Sequence, residues 1–259
     1  MRAIFIADAH LKSPLDEGYQ KCMHFFDGFQ GKAAAGEEKR LAENNVKSNE
    51  IDMLVIAGDF FDFWFERRGR VYPEFEPVVK NIARLRDEGV RICICEGNHD
   101  FFLADYFEKR LGIEVYPDEM ELLLDGLRIY VAHGDTVDEE NRKYLALRTF
   151  LRSSFIYRLQ RIVPLGLLFA IARASSGMSR EMAAGPQEKI VQKMAGFADK
   201  KHAEGINAVI LGHSHAELLN KTRKNGQQRI FATLGDWITR YTYLEYEQGV
   251  FSLKRFSMW

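Results

Sequence analysis

MLVIAGDFFD, residues 53–62, is the stretch that decides the fold. Met53 to Ala57 is an apolar run too short for a helix and closed by glycine, so it reads as a buried strand. Gly58 lets the backbone turn tightly, which brings the Asp59 carboxylate close to a ligand at the strand end. The same arrangement recurs on either side. Upstream, Ala3 to Ala7 leads into Asp8 and His10, a D-x-H pair whose members project to one side where the extended geometry persists. Downstream, Val90 to Cys95 precedes GNHD, which offers Asn98, His99 and Asp100. Arg128 to Ala132 precedes His133, and Ala208 to Leu211 precedes GHSH, with His213 and His215 two apart. Longer helical patterns separate these strands, and that alternation specifies an α/β fold. Ligands bind such sheets at the carboxyl ends of the strands, where all five donor sets fall.

The remainder of the chain reads differently. Arg229 to Leu234, Tyr241 to Tyr246 and Val250 to Phe256 are consecutive strands separated by polar or Gly-containing turns, which predicts a second, mostly antiparallel sheet. Asp138 to Lys201 carries helical periodicity and no strand signal, and is interrupted by Pro164, Gly177 and Gly185-Pro186. It reads as a helical insertion, about residues 138–201, within a single domain of residues 1–259. Gly31 to Gly36 is a small-residue turn between helical patterns.

Composition bounds the function. A chain that is 46% hydrophobic and 28% charged is neither disordered, nor collagen-like, nor a disulfide scaffold. Lys+Arg 36 against Asp+Glu 37 leaves a net charge of -1, so no global basic field attracts nucleic acid or anionic lipid. Cys22, Cys93 and Cys95 form no CxxC pair and read as buried, reduced thiols of a cytoplasmic protein. The start, MRAIFIADAH, does not resemble a cleavable signal. The longest apolar run, Ile162 to Ala172, contains proline and glycine and falls short of the ~20 residues of a membrane span.

A lone strand-end Asp is usually a helix cap or turn former, and a lone His usually makes an ordinary hydrogen bond. Five such ends in order, each after an apolar run, outweigh those readings. His24 and His202 lie in charged helical contexts without neighbouring donors and are expected at the surface.

The ordered set Asp8 to His10, Gly58 to Asp62, Gly97 to Asp100, His133-Gly134 and Gly212 to His215 resembles the calcineurin-like metallophosphoesterases over nearly the whole chain. The resemblance implies a four-layer β-sandwich flanked by helices, with a two-metal site. By it, Asp8, His10, Asp59 and His215 hold one metal, and Asp59, Asn98, His133 and His213 the other, with Asp59 bridging. Mixed carboxylate, amide and imidazole donors without thiolate suit Mn²⁺, Fe or Zn²⁺ rather than Ca²⁺, and manganese is the first choice. Two cations roughly 3.5 to 4 Å apart lower the pKa of a shared hydroxide and clamp oxygens during in-line displacement at phosphorus, which makes the reaction phosphoester hydrolysis. His99 can then protonate the leaving oxygen or stabilise phosphoryl charge. Asp100 either orients His99 or caps a helix beginning near Phe101.

A second layer of resemblance is narrower. GDFFDFW with Trp64, GNHDFF and HGDTVDEENRKYLALR are similar to the bacterial UDP-2,3-diacylglucosamine hydrolases of lipid A synthesis. That group cleaves the pyrophosphate of a nucleotide-linked lipid, giving UMP and a diacylglucosamine 1-phosphate. Asp135-Thr136, Tyr144, Arg148 and a helical cap before GHSH fit the group. His99 stands where its members carry Arg, which leaves open a sister group with another substrate.

Within the insertion, FIYRLQRIVPLGLLFAIA from Phe155 to Ala172 is more apolar than a surface helix needs and is punctuated by Arg158 and Arg161, with Arg173 following. Such a segment lines an acyl-chain chamber, lies shallowly in the membrane interface, or packs on itself or a dimer mate. Tyr144, Arg148, Arg173 and Arg180 are candidate substrate contacts, since guanidinium matches phosphate oxygens bidentately. Three functions follow: a nucleotide-lipid pyrophosphatase peripheral to the inner membrane, a soluble phosphodiesterase or nuclease, and a scaffold without chemistry. Filled ligand positions disfavour the scaffold. A nuclease should group aromatic and basic residues along a groove, which an apolar cap does not provide.

Overall fold

The computed structural model describes residues 1–31, 49–164, 166–170, 187–224 and 226–257. The fully apolar runs form the centre of the molecule. β1 (Arg2–Ile6), β2 (Met53–Ala57) and β3 (Arg91–Cys95) are buried on both faces, as parallel strands covered on either side must be. With β4 (Glu114–Tyr116), β10 (Thr242–Glu247) and β11 (Val250–Arg255) they make a six-stranded sheet of order β11-β10-β1-β2-β3-β4. The second sheet has five strands, β5 (Glu119–Leu124), β6 (Leu127–Ala132), β7 (Ala208–Leu211), β8 (Glu217–Lys224) and β9 (Gln227–Leu234), in the order β5-β6-β7-β9-β8.

Strand period sorts the side chains into layers. Ala3, Phe5, Met53 and Val55 point from the first sheet onto Leu122, Ile129, Val131 and Ile210 of the second. Ile4, Ile6, Leu54 and Ile56 point the other way, onto α1 (Glu17–Asp27), α2 (Glu76–Asp87) and α3 (Ala104–Leu111). The far face of the second sheet, with Tyr130, Val209 and Phe231, is covered by Met194 and Ala198 of α6 (Gln187–Ala203). The result is the expected four-layer sandwich, helix, sheet, sheet, helix.

Two expectations need correction. The three C-terminal strands do not form a sheet of their own: β9 joins β7 in parallel, while β10 pairs antiparallel with β1 and β11 antiparallel with β10. Correspondingly, β6 and β7 belong to the second sheet and not to the sheet of β1, β2 and β3. His202 is buried, not on the surface, because Met194, Ala198 and His202 recur every four residues on the face of α6 that meets the sheet. Its Nδ1 lies 2.8 Å from the Ile206 carbonyl oxygen. His24 is exposed, and the three cysteines are buried and free, as expected. The turn expected at Gly31 to Gly36 lies outside the described residues apart from Gly31.

Between β6 and β7 the described residues contain α4 (Arg142–Leu151), α5 (Ser154–Ile162) and α6, and no strand. Neither α4 nor α5 buries a single residue, and α5 exposes Phe155, Leu159 and Ile162. Polar clamps hold α5 to the core instead. The Tyr157 hydroxyl and Arg161 both donate to Asp105 of α3. Further on, Phe169 packs against Phe63, Phe65 and Tyr72. No helix among the described residues is long and apolar enough to cross a membrane.

Candidate metal centre

Parallel register brings the donors together. Ile6 pairs with Ile56 and Ala57 with Cys95, so the turns after β1, β2 and β3 leave the first sheet side by side. The ladder continues into the turns, with Asp8 N donating to the Gly58 oxygen at 3.1 Å and His10 N to the Asp59 oxygen at 3.0 Å. In the second sheet Ala132 pairs with Leu211, which sets His133 beside Gly212 and His213. The two sets meet across the sandwich where the His213 amide donates to Asp8 Oδ2 at 2.9 Å.

Small residues permit this approach. A Cβ on Gly97 would lie 2.1 Å from Asp59 Oδ1, and one on Gly58 would lie 2.6 Å from His133 Nδ1. The turns are also strained: Asp8, His10, Asp59, His213 and His215 all have positive φ, between 43° and 61°. Non-glycine residues occupy that region at a cost, and such residues cluster at functional sites.

Asp59 shares its oxygens between two tasks. Oδ1 accepts the His99 amide at 2.8 Å, and Oδ2 lies 3.6 Å from His10 Nε2 and 3.4 Å from His133 Nε2. On one side of Oδ2, His215 Nε2 approaches Asp8 Oδ1 at 3.5 Å. On the other, His133 Nε2 is 3.0 Å from Asn98 Oδ1 and 3.2 Å from His213 Nδ1. Metal bonds of about 2.1 Å place neighbouring ligands about 3.0 Å apart in an octahedron and about 3.4 Å in a tetrahedron, so these separations fit polyhedron edges. Asp8 Oδ1 and His10 Nε2 are buried without a hydrogen-bond partner, and burying carboxylates uncompensated costs several kcal/mol each. The donor set therefore fits divalent cations.

Charge within the cluster follows burial and neighbours. Burial, opposed by His133 and reinforced by Asp59, pushes Asp8 up to about 7. Burial also works against Asp59, but His133, His99 and His10 outweigh it and hold that carboxyl well below the usual range. For His133 burial favours the neutral ring, yet Asp59 and Asp8 prevail and push it up to about 10. Burial, together with the charge of His133 on His213 and of His10 on His215, pushes His213 and His215 down to about 4, which keeps both neutral as ligands must be.

Residues around the donors orient them. His133 Nδ1 lies 3.3 Å from the Ala57 oxygen, which fixes the ring with Nε2 towards Asp59. Asp62 Oδ1 lies 3.6 Å from His10 Nδ1, a role for the second Asp of GDFFD that the motif alone did not reveal. The His99 ring meets His10 edge-on with centroids 4.8 Å apart, and its Nδ1 is 3.1 Å from the Asp62 oxygen. Asp100 is not a helix cap, since α3 begins at Ala104 after Leu103. Its carboxylate accepts the amides of Gly97, Asp59, Phe60 and Phe61 at 2.7 to 3.0 Å, stapling two donor turns together. The carbonyl of Asp62, not Asp100, meets His99 Nδ1.

The expected substrate contacts divide. Tyr144 and Arg148 both donate to Asp135 Oδ2 at 2.7 Å, and Arg148 also reaches Asp118. Arg173 and Arg180 lie outside the described residues. Sequence reasoning missed Arg152, which donates from the end of α4 to the Gly97 oxygen and to Glu96 Oε2, at 2.7 and 3.0 Å.

Residues 1–217 match the family model described as calcineurin-like phosphoesterase. The chain belongs to that family. This phosphoesterase is similar to proteins named UDP-2,3-diacylglucosamine hydrolase from several bacteria. It is 27% identical to that of Aliivibrio fischeri over 98% of both chains. The identity is 30% with that of Haemophilus influenzae, covering 74% of this chain and 79% of the relative. With that of Pseudomonas savastanoi pv. phaseolicola it is 28%, covering 82% and 85%. The phosphoesterase is thus a hydrolase dependent on divalent metals, with its Asp and His clusters at the carboxyl ends of the strands.

Proposed function

We propose that this phosphoesterase hydrolyses the pyrophosphate of UDP-2,3-diacylglucosamine, a nucleotide-linked lipid, to UMP and 2,3-diacylglucosamine 1-phosphate. The observation that carries the reading is the insertion: α5 presents Phe155, Leu159 and Ile162 to solvent and buries nothing, while Phe169 further along packs onto the core against Phe63, Phe65 and Tyr72. Exposed apolar side chains of this kind receive acyl chains or enter a membrane interface, and the relatives' names supply the acylated headgroup. In this reading residues 1–259 are one domain, and the insertion of about 138–201 is its cap. The enzyme works in the cytoplasm, peripheral to the inner membrane.

Asp8, His10, Asp59 and His215 would hold one ion, and Asp59, Asn98, His133 and His213 the other, manganese being preferred for this mixture of oxygen and imidazole donors. When bound, the ions supply a water made nucleophilic at neutral pH and neutralise phosphoryl charge. Water adds to one phosphorus as its P–O–P bond breaks, and one of the water's protons passes to solvent, from which His99 is reprotonated. The departing phosphate takes a proton from His99, whose Nδ1 engagement at the Asp62 oxygen leaves the exchange to Nε2. Asp100 holds the turns of Asp59 and His99 in register, and Asp135, braced by Tyr144 and Arg148, supports the His133 turn.

The test compares kcat/KM for UDP-2,3-diacylglucosamine, UDP-N-acetylglucosamine and bis(p-nitrophenyl) phosphate, on the wild type and on Leu159→Asp/Ile162→Asp. Each buried methylene contributes about 0.8 kcal/mol, so acylated substrate should be strongly preferred, and the variant should lose that preference while keeping the small diester. Equal efficiency on acylated and deacylated sugars would move the assignment to a soluble phosphodiesterase.

A further inference from the structure

Away from the metal centre, several cations among the described residues gather round a hairpin at residues 67–70. Arg67 and Arg70 close a tight hairpin through paired backbone bonds of 3.0 Å, with Arg68 and Gly69 in left-handed backbone between them. The Arg67 guanidinium donates to the carbonyl oxygens of Gln160, at 2.6 Å, and Val163, which clamps the hairpin to the C-terminal end of α5. A cavity of about 790 Å³ beside this clamp is lined, among the described residues, by Arg67, Arg68, Arg70 and Arg161. A second, of about 470 Å³, shares Arg68 and Arg161 and adds Lys109, Arg110 and Tyr157 together with the carboxylates Glu66 and Asp105.

The acids nearby, Glu66 and Asp105, offset only part of this charge. Asp105 is already shared by Lys109 and Arg161, and Glu66 sits 3.9 Å from Arg110. Arg68 and Arg70 are exposed and have no ion-pair partner among the described residues, where Arg67 Nε is buried without an acceptor. In a chain of net charge -1, guanidinium groups gathered round one cavity repel one another until an anion joins them. Planar guanidinium forks match phosphate oxygens in particular. None of the metal-centre donors lines either cavity.

We infer that this arginine-lined cavity is a second anion site, separate from the metal centre, which binds a phosphate group carried by an anionic lipid headgroup or by a soluble phosphate. The inference goes beyond the proposed reaction and does not depend on its substrate. Exposed Leu159 and Ile162 flank Arg161 on α5, so a lipid phosphate would find apolar contact beside the charge.

The test uses the metal-loaded full chain and Arg68→Glu/Arg70→Glu. Cosedimentation is measured with vesicles of phosphatidylcholine alone and of equal parts phosphatidylcholine and phosphatidylglycerol, and calorimetry with inorganic phosphate. Both proteins take phosphate at the metal centre, so only the difference between them counts the cavity. Binding to the anionic vesicles that falls about tenfold or more in the variant identifies a lipid phosphate. An additional equivalent of inorganic phosphate on the wild type identifies a soluble one. Arg68→Lys/Arg70→Lys should keep most of the binding, and turnover of bis(p-nitrophenyl) phosphate should be unchanged in both variants, which separates this result from failure of the metal centre. A wild type that takes neither probe beyond the Glu variant overturns the inference, whatever the outcome with UDP-2,3-diacylglucosamine.

Discussion

Gly97→Ala places one methyl group against the centre of the site. The added Cβ would lie 2.1 Å from Asp59 Oδ1 and 2.3 Å from Asp59 N, where ordinary contact begins near 3.4 Å, so the two turns must separate by more than 1 Å. Both are held by Asp100, which accepts the Gly97 and Asp59 amides at 2.9 Å, so relief in one direction breaks a bond in another. Overpacking of this kind costs about 1–3 kcal/mol of stability, which a domain of this size survives. The chemistry is more sensitive: an error of about 1 Å in positioning lowers turnover about 10²-fold. Asp59 Oδ2 faces His10 and His133, so its displacement should also loosen both ions. Metal content by mass spectrometry, kcat on bis(p-nitrophenyl) phosphate and circular dichroism together measure the effect. A folded Gly97→Ala protein with full metal content and wild-type kcat would refute the idea that contact between Gly97 and Asp59 sets the geometry.

Asp59→Ala should release both ions, whereas His10→Ala should weaken one; two tightly held ions in the Asp59→Ala protein would exclude a bridging role. His99→Ala should lower kcat by about 10²- to 10⁴-fold with both ions retained, and unchanged kcat with chemistry rate-limiting would remove His99 from the reaction. Metal binding should release protons, since His133 without metal is pushed up to about 10 by Asp59 and Asp8 against its burial, and only the deprotonated ring ligates. Affinity therefore rises with pH up to that value, and calorimetry at pH 7 in buffers of different ionisation enthalpy should count at least one proton per chain; a count of zero contradicts the charge assignment.

The donors were legible because each follows a short apolar strand directly, and a strand's end is fixed by its neighbours in register: Asp8, Asp59, Asn98, His133 and His213 stand where the ladders place them. The division of strands between sheets was not legible, because β6 and β7 are nearly as apolar as β1 and β2, and periodicity does not say which partner a buried strand takes. The same limit applies to His202, whose polar ring sits on the inner face of α6, and to Asp100, whose bonds run to amides some forty residues away in the chain. Arg152 follows a charged helix and carries no motif of its own, and only the fold brings it to Gly97.

The most direct measurement is anomalous diffraction at the manganese edge from crystals grown with the metal. Two peaks should appear, one bonded by Asp8, His10 and His215, the other by Asn98, His133 and His213, with Asp59 touching both. A single peak, or two that do not share Asp59, would contradict the account.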